Sequence, residues 1–166
     1  MALTKTIKRA YLNAGLGIRV NRVAAADAVG PTAIFTIAGG VVLITSLVGI
    51  VTTLRAGGAG VTQLFSHSTG ATALCVAAIT GLAAAGTIVT ITGDPADALI
   101  VGAGTGVANT FVPIQGGMKG SGAGGVAQWG IYVGVGTITT TISIVTAGAT
   151  RYMLSYIPVD DQAIVF

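Results

Sequence analysis

The chain has 166 residues and 16.3 kDa, the length of one domain or of one domain with an arm. Charged residues make up 8% of it, against about 25% in a typical soluble domain, while 52% is hydrophobic and Gly fills 26 positions, so intrinsic disorder is excluded. One His, one Cys, five Asp and no Glu leave few groups for acid–base or metal chemistry, which disfavours a conventional enzyme and favours a structural or interaction protein.

The net charge is +3, yet Lys5, Lys8, Arg9, Arg19 and Arg22 supply five of the eight cations. The expected organisation is therefore a basic N-terminal arm over residues 1–30, closed by Gly30-Pro31, and a β-rich body over residues 31–166. Leu3, Ile7 and Tyr11 recur at four-residue spacing, as on a helix, although an extended arm fits the composition equally. Lys5, Lys8, Arg9, Tyr11, Arg19 and Arg22 are the candidate partner-binding residues. Docking on an acidic protein surface, contact with phosphates and adsorption to an anionic membrane compete with a solvated terminus. A single aromatic in the segment and no basic stripe in the body disfavour nucleic acid.

The body alternates strand-like runs with Gly turns. Residues 32–38 predict a strand, Gly39-Gly40 a hairpin turn, and residues 41–48 a strand apolar on both faces that belongs in the middle of the structure or under a neighbouring subunit. Gly49 predicts a bend or bulge before the strand resumes over residues 50–55. A loop at 56–60 precedes a strand at 61–66 and a turn at 68–70, and residues 72–79 read as strand or short helix. Residues 86–92 form the clearest isolated strand, ended by Gly93-Asp94-Pro95, and a short apolar piece follows at 98–101. Residues 109–115 carry Pro113 and suit a sheet edge, and the Gly-rich run 116–125 reads as an exposed loop.

A strand at 129–135 then leads to residues 137–144, where Thr137, Thr139, Thr141 and Ser143 alternate with Ile138, Ile142 and Ile144, the period of a half-buried strand. A turn at 146–149 predicts a hairpin with residues 150–157, whose Tyr152, Leu154 and Tyr156 share one face. Residues 163–166 close the chain as a short apolar tail. The charge-free stretches 33–54 and 126–149 are long enough to span a bilayer, but their Thr, Val, Ile and Gly content favours strands. An all-β fold is expected: an antiparallel β-sandwich or jelly-roll-like barrel with an N-terminal arm.

Motifs for chemistry are weak. Residues 120–125 match G-x-G-x-x-G without a βαβ context, and Lys119 lacks phosphate-loop spacing. Ser66-His67-Ser68 reads as a turn with a solvent-facing His, and Asp94, Asp97, Asp160 and Asp161 as turn or cap residues. No catalytic residue, metal ligand, cofactor or small-molecule substrate is expected. Cys75, the only cysteine, reads as a small core residue.

The run from Thr137 through the Gly148 turn into residues 151–161, together with residues 35–45 and 49–53, resembles small virion-associated structural proteins of tailed bacteriophages. In those a strand-Gly-Gly-strand opening and a final Asp pair recur, and Gln162 stands where a Gly commonly follows the pair. The resemblance covers both ends of the body and implies a capsid decoration or cement protein. Such a protein would bind and stabilise the shell of major capsid protein, as a homo-oligomer and most simply a trimer, in virions assembled in the host cytoplasm. A tail or fibre component contacting a host surface and a small membrane-associated protein are the alternatives.

Overall fold

The Val-, Ile- and Thr-rich runs condense into twelve strands, with no helix among the described residues. The computed structural model describes residues 17–68, 72–102, 130–145 and 147–166. In chain order the strands are β1 (Ile18–Ala26), β2 (Gly30–Ala38), β3 (Val42–Ala56), β4 (Thr62–His67), β5 (Thr72–Ala73) and β6 (Ala78–Ile79). They continue as β7 (Ile88–Thr90), β8 (Ile100–Val101), β9 (Ile131–Val133), β10 (Gly136–Ile142), β11 (Ala147–Pro158) and β12 (Ile164–Val165). Two antiparallel sheets result, packed together as a sandwich without closing into a barrel. The first runs β1-β11-β3-β7-β8, with β9 also on β3; the second runs β12-β2-β10-β4-β5, with β6 also on β4.

The core lies between the sheets. Val42, Ile44 and Leu47 of β3 and Tyr152, Leu154 and Tyr156 of β11 share one cluster with Phe35 and Ile37 of β2, Phe65 of β4 and Ile138 of β10. Phe65 and Tyr152 pack edge to face, ring centroids 6.0 Å apart at 85°. Strand β3 is apolar on both faces because it is central: β11 pairs with one edge and β7 and β9 with the other. Residues 72–79 resolve as an interrupted strand: β5 and β6 both pair with β4, and between them Leu74 and Cys75 are buried. The strand read over 86–92 is regular only at β7, and the expectations for residues 109–115 and 116–125 lie outside the described residues.

Three connections differ from the sequence reading. Residues 18–26, read as part of an arm, form β1 and pair with β11 from Ile18↔Tyr156 to Ala26↔Ala149. Gly39-Gly40 joins β2 to β3, which belong to different sheets, so it is a crossover and not a hairpin turn. A Cβ on Gly40 would fall 2.4 Å from Asp160 Oδ2, and one on Gly39 would fall 2.1 Å from the Gln162 carbonyl. Two adjacent residues without side chains therefore let the turn at 160–163 close over the crossover, where Asp160 Oδ2 accepts the Val41 N–H at 2.7 Å. Likewise β10 and β11 lie in opposite sheets and do not form a hairpin.

Gly49 is likewise not a bulge. The register Thr150↔Val51, Arg151↔Ile50, Tyr152↔Gly49 and Met153↔Val48 runs through it unbroken. Its role is steric: an added Cβ would stand 2.7 Å from Val89 Cγ2 and 3.0 Å from Tyr152 Cε1. Gly49→Ala is therefore expected to destabilise the protein by about 1–3 kcal/mol through overpacking, seen as a lower urea midpoint at unchanged slope. Combined with Val89→Ala, its additional effect should shrink, a coupling that a double-mutant cycle measures.

Candidate functional site

A cationic side chain near the end of a buried strand must bring acceptors with it, because an unpaired charge in the interior is strongly disfavoured. Arg55, near the end of β3, is fully buried and meets that demand with four hydrogen bonds. Its Nε donates to Asp27 Oδ2 at 2.9 Å, Nη1 to Gln63 Oε1 at 2.8 Å and Thr80 Oγ1 at 2.9 Å, and Nη2 to Thr150 Oγ1 at 2.9 Å. Gln63 Nε2 passes the network on to Thr140 Oγ1 at 2.9 Å and Tyr152 OH at 3.3 Å, and the Thr150 hydroxyl donates to Asp27 Oδ2 at 3.2 Å. Strands β3 and β11 of one sheet are thereby clasped to β4 and β10 of the other. With the guanidinium enclosed and its neighbours already acting as acceptors, Arg55 is a structural clasp and not a ligand-binding group.

The clasp gathers four connections at one end of the sandwich. Asp27 N–H donates to the Gly148 carbonyl at 3.0 Å, Arg55 N–H to Ala83 at 3.0 Å, Thr80 N–H to Val61 at 2.8 Å and Ser143 N–H to Thr62 at 3.0 Å. Residues 27–29, 57–61, 80–86 and 143–145 contain no charged side chain except Asp27, which is already engaged by Arg55. What this end offers instead is aliphatic: Val29, Leu54, Ile79, Leu82 and Ile144 are each 50% to 66% exposed. Val29, Leu82 and Ile144 stand on loops and Leu54 and Ile79 in the adjoining ends of β3 and β6, and a group of exposed aliphatics at such a place marks a candidate docking surface. Leu82 adds a second sign, since it sits at φ 58, a left-handed conformation that non-Gly residues seldom adopt and that concentrates at functional positions.

The candidate residues read from sequence lie elsewhere. Lys5, Lys8, Arg9 and Tyr11 fall outside the described residues. Arg19 and Arg22 are on β1, Arg19 exposed with its guanidinium against the Met153 sulfur, Arg22 half-buried and donating to the Ala33 carbonyl. Arg22 also lines a small pocket with Asp27 and Ala28 beside the aliphatic end. That end left one trace in the sequence, loops of Gly, Ala and large aliphatics where charged or amide side chains are usual.

The weak motifs take structural places. His67 ends β4 and is half-buried, where a solvent-facing turn was expected, and Ser66 is buried with its hydroxyl 2.6 Å from that of Thr139. Asp94 forms an Asx turn in which Oδ1 accepts the Ala96 N–H at 2.9 Å, and Asp160 closes the crossover described above. Comparison of the chain with protein-family models, with curated proteins and with solved structures returns no match.

Two predictions follow from the clasp and the core around it. Arg55→Leu leaves the Asp27 carboxylate enclosed without its cation and Gln63 Oε1 without its donor, and should cost about 3–5 kcal/mol in urea unfolding. Burial pushes the Cys75 thiol above its ordinary value of 9.0 and the Tyr152 hydroxyl above 10.0. The folded state thus retains protons that the unfolded chain releases, so both contributions are fully present below pH 9 and fade as pH rises through and beyond these ordinary values. Thermal melts should show alkaline destabilisation, which Cys75→Ala and Tyr152→Phe each reduce.

Proposed function

We propose that the protein is a virion structural protein of the capsid decoration or cement kind, which binds the shell of major capsid protein and stabilises it. The observation that supports this most is the uncharged, aliphatic end of the sandwich beside the Arg55 clasp. A decoration protein has to present a preorganised surface to a repeating protein lattice, and apolar side chains already fixed in place lose little entropy on docking. Leu54, Ile79, Leu82 and Ile144 fit the central anchor positions of such an interface, where burial of aliphatic surface supplies the affinity and charges are depleted. The scarcity of charge over the body also favours association of copies, and a trimer matches the local three-fold positions of a shell. The resemblance of residues 35–45, 49–53 and 137–161 to phage virion proteins points the same way.

A proteomic inventory of purified virions should find this chain at a copy number in fixed ratio to the major capsid protein. Capsids stripped of it should retain the added protein on sedimentation. Leu82→Asp with Ile144→Asp should lower that retention by about tenfold or more while leaving the urea midpoint nearly unchanged, as expected for exposed positions. Leu82→Gly relieves the left-handed backbone and should keep or raise stability while still weakening attachment. Undiminished retention by the double variant would overturn the assignment of this end as the capsid contact.

A further inference from the structure

The two long edges of the sandwich are finished differently. On one side the sheets are laced together by a parallel bridge, Val76↔Ala98, in which Val76 N–H donates to Asp97 at 2.8 Å and Leu99 N–H to Val76 at 2.9 Å. On the other side β1 ends its sheet, paired only with β11. There β2 pairs with β12 only through Ile37 and Ala38, extended by the reciprocal Thr36 and Phe166 bonds at 2.8 and 3.0 Å. The edge of β2 over residues 30–35 that faces away from β10 therefore has no strand beside it among the described residues.

Between these two edges lies an open groove of about 320 Å³, with Val20, Ile34, Phe35 and Phe166 among its apolar lining and Asn21 and Arg22 at its rim. A single side chain spans it: Arg22 Nη1 donates to the Ala33 carbonyl. No acidic residue lines the groove, and the only ion pair among the described residues belongs to Arg55.

We propose that this groove is a strand-addition site that takes an extended segment of another protein, with aliphatic residues alternating along it and a carboxylate placed to meet Arg22. The main-chain groups of an edge strand supply generic affinity for such a segment, and the side-chain pockets and Arg22 supply selectivity. A second copy of this chain does not fit. Its five Asp residues are Asp27, Asp94, Asp97, Asp160 and Asp161, and none of them lies in a strand. Pairing β1 with its own copy would also bring the Arg19 and Arg22 side chains of both copies into one ladder with no carboxylate to meet them, which weakens it. The site is separate from the aliphatic loop end and does not depend on the virion reading.

The test uses the full-length protein, labelled for amide NMR, and two blocked eight-residue peptides of alternating valine and threonine that differ only in a central glutamate or lysine. The glutamate peptide should shift the amides of β1 and of residues 33–36 and bind about five-fold or more tighter than the lysine peptide. Arg22→Gln should abolish the preference with the fold intact, and Arg22→Glu should reverse it. Methylating alternate peptide nitrogens should remove binding in one of the two registers, as a ladder requires. Equal affinities, a preference that survives Arg22→Glu, shifts confined to the loop end, or no binding by either peptide would each overturn the proposal.

Discussion

The enclosed guanidinium of Arg55 is the constraint to which the rest of the sandwich is fitted. A cation deep between two sheets is tolerable only if acceptors converge on it, and here they come from Asp27, Gln63, Thr80 and Thr150, four separate stretches of chain. A planar fork is needed to serve them together, so a lysine could not replace it. The clasp explains why β3 continues to Ala56 despite losing register with β11 between Val51 and Thr53. It also explains how loops rich in Gly and Ala are held still enough to display aliphatic side chains. Hydrophobic contacts fill the centre of the molecule, whereas this polar network determines the arrangement of one end.

Period and composition made much of the architecture legible. The unbroken apolar run at 41–48 pointed to a central strand, and β3 has partners on both edges. The shared face of Tyr152, Leu154 and Tyr156 is buried as the alternation implied. The Thr alternation in β10 held in position but not in exposure: Thr139 and Thr140 are both buried, one bonded to Ser66 and the other to Gln63, where a bulge lies beside them against β2. Sheet membership was not legible, because a Gly pair looks the same whether it turns a chain back within one sheet or carries it across to the next. The candidate surface was hidden for a related reason. Its residues come from loops and strand ends far apart in sequence, and Arg55 stood out in the chain only as one of three cations beyond residue 22.

Charge is distributed in keeping with this division. Of the described cations, one is consumed inside the fold and the others lie on or beside β1 and β11, while the acidic residues other than Asp27 occupy turns away from the loop end. The molecule thus separates an uncharged end from a basic edge. These two surfaces select different chemistries, one through burial of aliphatic area and the other through main-chain pairing with an electrostatic preference.

The order of strands in the two sheets bears on how the protein comes into being. In one sheet β11 lies between β1 and β3, and in the other β10 lies between β2 and β4, so strands synthesised late join the earlier ones. Ile18 has no ladder partner until Tyr156 has left the ribosome, a wait on the order of ten seconds at ordinary elongation rates. Throughout that interval β1 to β4 exist as apolar segments with unsatisfied edges, the kind of intermediate that aggregates or recruits chaperones. Native pairing is dominated by contacts remote in sequence, which slows folding further. Folding of this sandwich accordingly waits for β10 and β11, and its yield depends on how well the nascent strands are kept apart until they arrive.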